Sequence, residues 1–366
     1  MQLERGEKNG GNDLVQRFKG VVAALAILLA VSVAANAQAS EFGARAYGMG
    51  GAYTGVASDM SALIYNPAGL TYNVFEASLG LGGSNLAGVS TLYAVLQDPA
   101  SLIENEVPPS TFNLSVLSGA SFGSYAVGFA ADGTLDISSS CKPGVELCAD
   151  GELMTQIIGG AGFNVVSLPV NLAGLQVGVS LKRLDGVRFE FAQMEPAGGT
   201  FDAVTRRWDG EGFSATVGAL MRITDMVTLG VAAQDVLSSV RWSGTQQTST
   251  YSVADGELVS ESTEVKLPDE VTKLDPVLRI GASVRPPIVG LTLAADLATD
   301  GTLRYGVEKT FLFGLFAVRA GQILAQGDTT TTLGLGVNVG PIHFDAGFGA
   351  SNNKNFGLSV EGSVRF

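Results

Sequence analysis

From residue 277 onward, apolar and polar positions alternate with period two. Phe356, Leu358, Val360, Gly362, Val364 and Phe366 share one face, while Gly357, Ser359, Glu361, Ser363 and Arg365 share the other. Ile342, Phe344, Ala346 and Phe348 are set against His343, Asp345, Gly347 and Gly349, and Leu333, Leu335, Val337 and Val339 against Gly334, Gly336 and Asn338. The pattern recurs at Phe316–Ala320, Leu303–Val307, Leu291–Leu297 and Leu278–Val284. The opposite faces there carry Arg319, Arg304, Glu308, Asp296, Arg279 and Arg285. Period two places successive side chains on opposite faces of a sheet. The spacing therefore predicts seven strands, with joints at Pro286-Pro287, Asp300-Gly301, Gly327-Asp328, Gly340-Pro341 and Asn352-Asn353. Looser alternation predicts seven more, near 74–83, 111–119, 123–133, 153–166, 172–192, 200–223 and 227–242.

Composition decides what such a sheet packs against. Of 366 residues, 46% are hydrophobic, only 16% are charged and 48 are Gly. The chain is too apolar for disorder, and a net charge of -13 argues against a nucleic-acid partner. The polar face is mostly Gly, Ser and Thr with scattered ion pairs, while the apolar face is almost unbroken. A soluble sandwich would show its polar face to water; here the apolar face has the continuity a lipid-facing wall needs. Downstream of the N-terminal segment no apolar run reaches the ~18 residues of a candidate spanning helix. In hydrocarbon a sheet must close on itself. The prediction is an all-β, transmembrane antiparallel barrel of about fourteen strands occupying 73–366. The even count puts both termini on one side, expected to be the periplasm. Short turns such as Thr224-Asp225 and Gly340-Pro341 share that side, and the segments 84–110, 134–152 and 243–276 are expected as longer outer loops.

Arg17 and Lys19 precede an apolar run, Gly20 to Ala35, too short to span a bilayer as a helix. It ends in Ala35-Asn36-Ala37 and Ala37-Gln38-Ala39, both small-x-small cleavage patterns. Residues 1–37 are expected to be a secretory signal peptide, with cleavage at 39 as the variant. The expected address is the outer membrane of a Gram-negative-type (diderm) bacterium.

Residues 40–72 do not alternate. They contain Gly43-Ala-Arg-Ala, Gly48-Met-Gly-Gly-Ala, Ala57-Ser-Asp and Asn66-Pro-Ala-Gly-Leu70. This string resembles the N-terminal segment of the FadL/TodX superfamily of outer-membrane barrels for hydrophobic compounds. The Gly-Met-Gly-Gly-Ala wording is closer to a PorV-like branch that acts in protein secretion. The resemblance implies that 40–72 is a plug inside the barrel. Phe42, Arg45, Tyr47, Met49, Tyr53, Asp59, Asn66 and Pro67 are then the candidate plug and ligand-contact residues. It also implies passive uptake of hydrophobic small molecules such as long-chain fatty acids. A PorV-like secretion accessory and a purely structural outer-membrane protein remain as alternatives. The last strand, ending in Phe366, resembles the signal read by the barrel-assembly machinery. Membrane lipid, that machinery and a hydrophobic ligand are the implied partners.

Other residues carry less. Leu86, Val89, Leu92, Tyr93 and Leu96 fall at helical spacing in an apolar outer segment, as an apolar patch that either packs on the rim or collects ligand. Cys141 and Cys148, the only cysteines, enclose turn formers and are expected to form a loop disulfide. Gly119-Ala-Ser121-Phe-Gly123 matches a nucleophile-elbow spacing but falls at a tight turn rather than between a strand and a helix. The lone His343 cannot build a multi-His metal site and is read as part of an interior polar network. No catalytic residue, metal or cofactor is expected.

Overall fold

The computed structural model describes residues 42–72, 75–84, 110–142, 144–167, 174–194, 200–254, 257–286, 290–325, 328–352 and 356–366. Two short helices come first, α1 (Ala44–Gly48) and α2 (Ala62–Tyr65), followed by a 3-10 turn over Pro67–Tyr72. Strands follow. They are β1 (Phe75–Ser84), β2 (Ser110–Phe122), β3 (Tyr125–Lys142), β4 (Val145–Ser167), β5 (Gly174–Met194), β6 (Thr200–Arg222) and β7 (Val227–Ala254). After β8 (Glu257–Lys266) and β9 (Glu270–Thr272) come β10 (Val277–Val284), β11 (Leu291–Ala298), β12 (Leu303–Phe311), β13 (Phe316–Ala325), β14 (Asp328–Val339), β15 (Ile342–Ser351) and β16 (Phe356–Arg365).

Each of β1–β7 pairs antiparallel with its sequence neighbour, and so does each of β10–β16. Two further pairings close the ring, β7 with β10 and β1 with β16. The result is a closed fourteen-stranded barrel. β8 and β9 stand outside the count, paired to the far half of β7.

The alternation translates into two chemically distinct faces. Leu333 and Leu335 are 56% and 62% exposed on the outer surface, and Ile280, Leu297, Leu181, Phe213 and Leu237 are exposed with them. Asp296, Arg304, Glu308, Arg319, Asp345 and Glu361 point inward and are buried. That polarity is the reverse of a water-soluble protein and matches a wall with lipid outside. Exposed Phe122, Tyr125, Phe311, Phe316 and Phe366 collect at the rim where Phe75 and Phe366 meet, here the terminal rim. Aromatic rings favour that interfacial level in membrane barrels.

The barrel is taller on one side than the other. β10–β16 run eight to twelve residues, whereas β3–β7 run from 18 to 28. Residues 134–152 and the first part of 243–276, expected as loops, continue as strand instead. Leu135 and Ile137 still alternate with Thr134 and Asp136 there, so period two persists beyond the lipid. The outward-facing pairs Arg183–Asp185 and Arg207–Asp209 begin where the apolar outer face at Leu181 and Phe213 ends, because charge is costly on a lipid face.

Candidate functional site: the filled lumen

Residues 43–70 lie inside the barrel. Every one is buried except the half-buried Arg45 and Ser58. The segment makes little regular structure because its sequence is Gly-rich: Gly50 and Gly51, at φ 65° and 68°, turn the chain after α1 as only Gly readily does. α2 stops at Tyr65, where Asn66 is extended, as expected of a residue before Pro67.

The wall is shaped to receive this segment. Inward positions at plug level are glycines. A Cβ at Gly306 or Gly321 would collide with the Met49 backbone, and one at Gly178 with that of Pro67. At Gly218 it would strike the Asn66 side chain. The polar face of the sequence is Gly-rich because the plug backbone occupies the space where side chains would stand.

Polar bonds then fix this segment to the wall through one connected network, since Arg45 also lies 3.4 Å from Asp59. Arg45 donates through Nε and Nη2 to the two carboxylate oxygens of Glu308 on β12, at 2.9 and 2.8 Å. Glu308 also accepts from Arg319 at 2.7 Å, and Arg319 reaches Asp345 at 2.6 Å. Asp59 accepts from the Tyr53 hydroxyl and from Ser61, and lies 3.9 Å from Arg365, which in turn donates to Glu76 at 3.0 Å. Burial alone pushes the Asp59 carboxyl up. The guanidinium groups of Arg365 and Arg45, with hydrogen bonds from Ser61 and Tyr53, hold it below the usual carboxylate range instead.

Elsewhere the wall satisfies the irregular backbone of the plug directly. Asp296 accepts from the amides of Tyr53 and Thr54, while Ser180, Gln234 and Ser283 donate to the carbonyls of Leu63, Ile64 and Gly55. Asn66 works both ways, donating to Thr54 and Ala219 carbonyls and accepting from the Ala68 amide. Met49, Tyr53, Met60, Leu63 and Tyr65 form the apolar interior of the plug, with Phe42 packed against them. Tyr47 is buried against Gly347 and Gly349.

Above the plug, on the tall side, the inward residues form layers. A polar layer holds the pair Lys182–Asp235 at 3.0 Å and Gln156 bonded to Asp132. Next come Met154, Leu184, Val240 and Trp242, with Trp208 and Leu274 partly buried against them. The Trp242 ring lies over Gly186 and Gly210, where any side chain would displace it. Its Nε1 donates to Thr272, and the Arg188 guanidinium stacks 4.5 Å away. Beyond is a cavity of about 830 Å³ lined by Asp136, Asp150, Glu152, Glu190, Arg188 and Arg206 among others.

The structure thus gathers all eight plug candidates into one packed unit. The Trp242 layer and the glycine bed were not read from the sequence. The bed left a signal, the recurrence of Gly at inward positions of nearly every strand; Trp242 left none, since one inward Trp in a long β7 has no pattern. Leu86, Val89, Leu92, Tyr93 and Leu96 lie outside the described residues, as does the 1–37 segment. Cys148 is disulfide-bonded, and Cys141 is the one other cysteine in the sequence. His343 sits inside, its Nδ1 2.6 Å from Asn338 Oδ1. Ser121 of the nucleophile-elbow spacing lies within β2, with no helix following.

No family model and no curated protein matches this sequence. Solved structures do. The CymD monoaromatic hydrocarbon channel superposes with a TM-score of 0.60 at 15% identity, over 92% of this chain and 98% of that one. The chain has the fold of that channel. It is similar likewise to the Ralstonia pickettii toluene transporter TbuX, with TM-score 0.59, 14% identity, and 89% and 98% of the two chains covered. A Pseudomonas aeruginosa FadL homologue gives 0.54 at 13% identity, covering 91% and 100%.

Proposed function

We propose that this chain is an outer-membrane channel for the passive uptake of hydrophobic small molecules, with 40–72 as its plug and the terminal rim on the periplasmic side. The observation that carries this reading is the vertical order inside the wall. A charged cavity leads to an apolar layer around Trp242, and below it a thin layer of paired polar groups, Lys182 with Asp235 and Gln156 with Asp132, separates that layer from a plug whose core is Met and aromatic side chains. An open aqueous pore needs no such filling, whereas an apolar solute needs an apolar resting place and a gate. The work is binding and release, and the resemblance to hydrocarbon channels in fold supports it.

The cavity lining also narrows the cargo. Four carboxylates, Asp136, Asp150, Glu152 and Glu190, face two guanidinium groups, Arg188 and Arg206. Arg188 and Arg206 are already engaged by Glu152 and Glu190. An uncharged hydrophobe crosses this zone without Coulomb cost, whereas a fatty-acid carboxylate meets excess negative charge. We therefore favour neutral compounds over long-chain fatty acids. The test is uptake into proteoliposomes of a neutral aromatic, toluene, against a radiolabelled fatty acid. Saturable toluene uptake supports the reading. Equal leak in protein-free vesicles, or a secreted protein co-purifying with an inert barrel, overturns it.

A further inference from the structure

The turn between β12 and β13 is built from residues that make it strained. Leu312 and Phe313 have φ of 49° and 58°, followed by Gly314 at 91°. Left-handed positions in a hairpin turn normally fall to Gly, Asn or Asp, because a Cβ crowds the following carbonyl. Here they hold two large apolar side chains, and both point away from the barrel. Phe313 is fully exposed at 110% and Leu312 is 65% exposed. The segment 311–316 reads Phe-Leu-Phe-Gly-Leu-Phe and has no charge.

The turn is also held from behind. Asn338 donates through Nδ2 to the Gly314 carbonyl at 2.7 Å and through its amide to the Leu315 carbonyl at 2.8 Å. His343 abuts the remaining amide oxygen of Asn338. A polar bracket on β14 and β15 therefore fixes an apolar tip whose backbone conformation its own residues disfavour. Nothing in the packing of the barrel needs Leu312 or Phe313, since neither is buried in it.

What covers them is suggested by their surroundings. Phe311, Phe316, Val339 and Ile342 are exposed at the same rim, on strands whose outer faces run without interruption into the lipid-facing wall. Lys309 lies 5.6 Å over the Phe311 ring, as a long cationic side chain does at a headgroup level. Of the other described turns of this rim, the one at 223–226 carries Asp225, the one at 123–124 is Gly-Ser and the one at 340–341 is Gly-Pro, so none sets two large apolar side chains at its tip.

We propose that the Leu312–Phe313 turn is a lipid wedge, inserted into the leaflet at the terminal rim and fixing the depth and tilt of the barrel there. The occupant is phospholipid, because the tip is continuous with the hydrocarbon-facing surface and carries no charge for a protein partner to read. This rests on the lipid-facing assignment of the wall and not on the channel reading.

The experiment places a nitroxide at Phe313→Cys and, as a reference on the same rim, at Asp225→Cys. The full barrel is reconstituted in phosphatidylethanolamine–phosphatidylglycerol vesicles. Cys148 is already disulfide-bonded, so the new thiol takes the label. Collision with oxygen should exceed collision with a water-soluble nickel chelate at 313 and fall below it at 225. Equal chelate access at both sites would overturn the wedge. A second variant separates strain from lipid contact: Leu312→Asn with Phe313→Gly supplies ideal turn residues. It should fold at least as well in detergent yet insert into vesicles several-fold less efficiently. Unchanged insertion overturns the proposal, as does a photoreactive residue at 313 that links to a protein rather than to lipid.

Discussion

Arg45 of the plug and Glu308 of β12 are 263 positions apart in sequence and meet through two parallel hydrogen bonds of 2.9 and 2.8 Å. The pair is bidentate, and both groups are largely shielded from water. Removing one partner strands the other, which typically costs about 3–5 kcal/mol for a buried pair. Arg45→Met is expected to lower stability by that order in urea titrations of the refolded barrel. Single-channel recordings should show raised conductance as the plug loosens. Combining it with Glu308→Gln should cost less than the two single changes added together, since the pair is lost once.

Bulk introduced at the glycine bed should act on the plug and spare the wall. Gly306→Val and Gly178→Val each place atoms where plug backbone now lies. The barrel is expected to keep its heat-modifiable mobility on gels while single cysteines introduced at Ala46 or Ala57 become accessible to reagents. A wild-type accessibility pattern in folded Gly306→Val would refute the close fit.

The outer wall gives a sharper number. Leu335 is exposed on the lipid face and Gly336 faces Arg319 and Asp345 within. Leu335→Arg should cost ~2–4 kcal/mol in folding into bilayers. A spin label at 335 should report lipid and one at 336 the interior.

The cavity charges should set selectivity. Glu152→Gln together with Glu190→Gln frees Arg188 and Arg206 and removes two negative charges. Uptake of a fatty acid should rise relative to toluene, with the gain shrinking in high salt as the remaining charges are screened.

Acid should loosen the plug through Asp59. A depressed pKa in the folded state means this carboxylate contributes stability above its unfolded value, near 3.9. That contribution fades as pH falls below it toward the folded value. The part of the conductance governed by Asp59 is therefore expected to rise only in acid below about pH 4. In Asp59→Asn it should be raised at neutral pH, with a smaller acid step.

The strands were legible because lipid outside and plug inside impose opposite demands on alternate residues, so each strand of β10–β16 announces both faces. Beyond the bilayer the alternation persists, but the turn formers Lys142-Pro143-Gly144 made 134–152 read as a loop, although the backbone pairs Asp136 with Asp150 in an ordinary ladder. The 40–72 segment was visible as a break in period, and its polar and aromatic residues as the chemistry within that break. Their partners were not visible. Which of Glu308, Asp296, Glu361 or Arg365 meets Arg45, Tyr53, Ala44 or Asp59 depends on how the plug is seated against the wall. A local pattern carries no information on that. Trp242 was missed for a related reason: its role comes from two glycines on other strands.

The plug bonds also fall at a telling place on the circumference. Ala44 donates to Glu361 at 3.1 Å and Asp59 lies beside Arg365, both on β16. Glu76, the other partner of Arg365, belongs to β1. The plug thus grips the one junction where the earliest and latest strands of the ring meet. The seating of the segment and the joining of the first and last strands therefore share one residue, Arg365, which reaches Asp59 on one side and Glu76 on the other. The two arginine–carboxylate contacts at the seam act as the clasp of the ring.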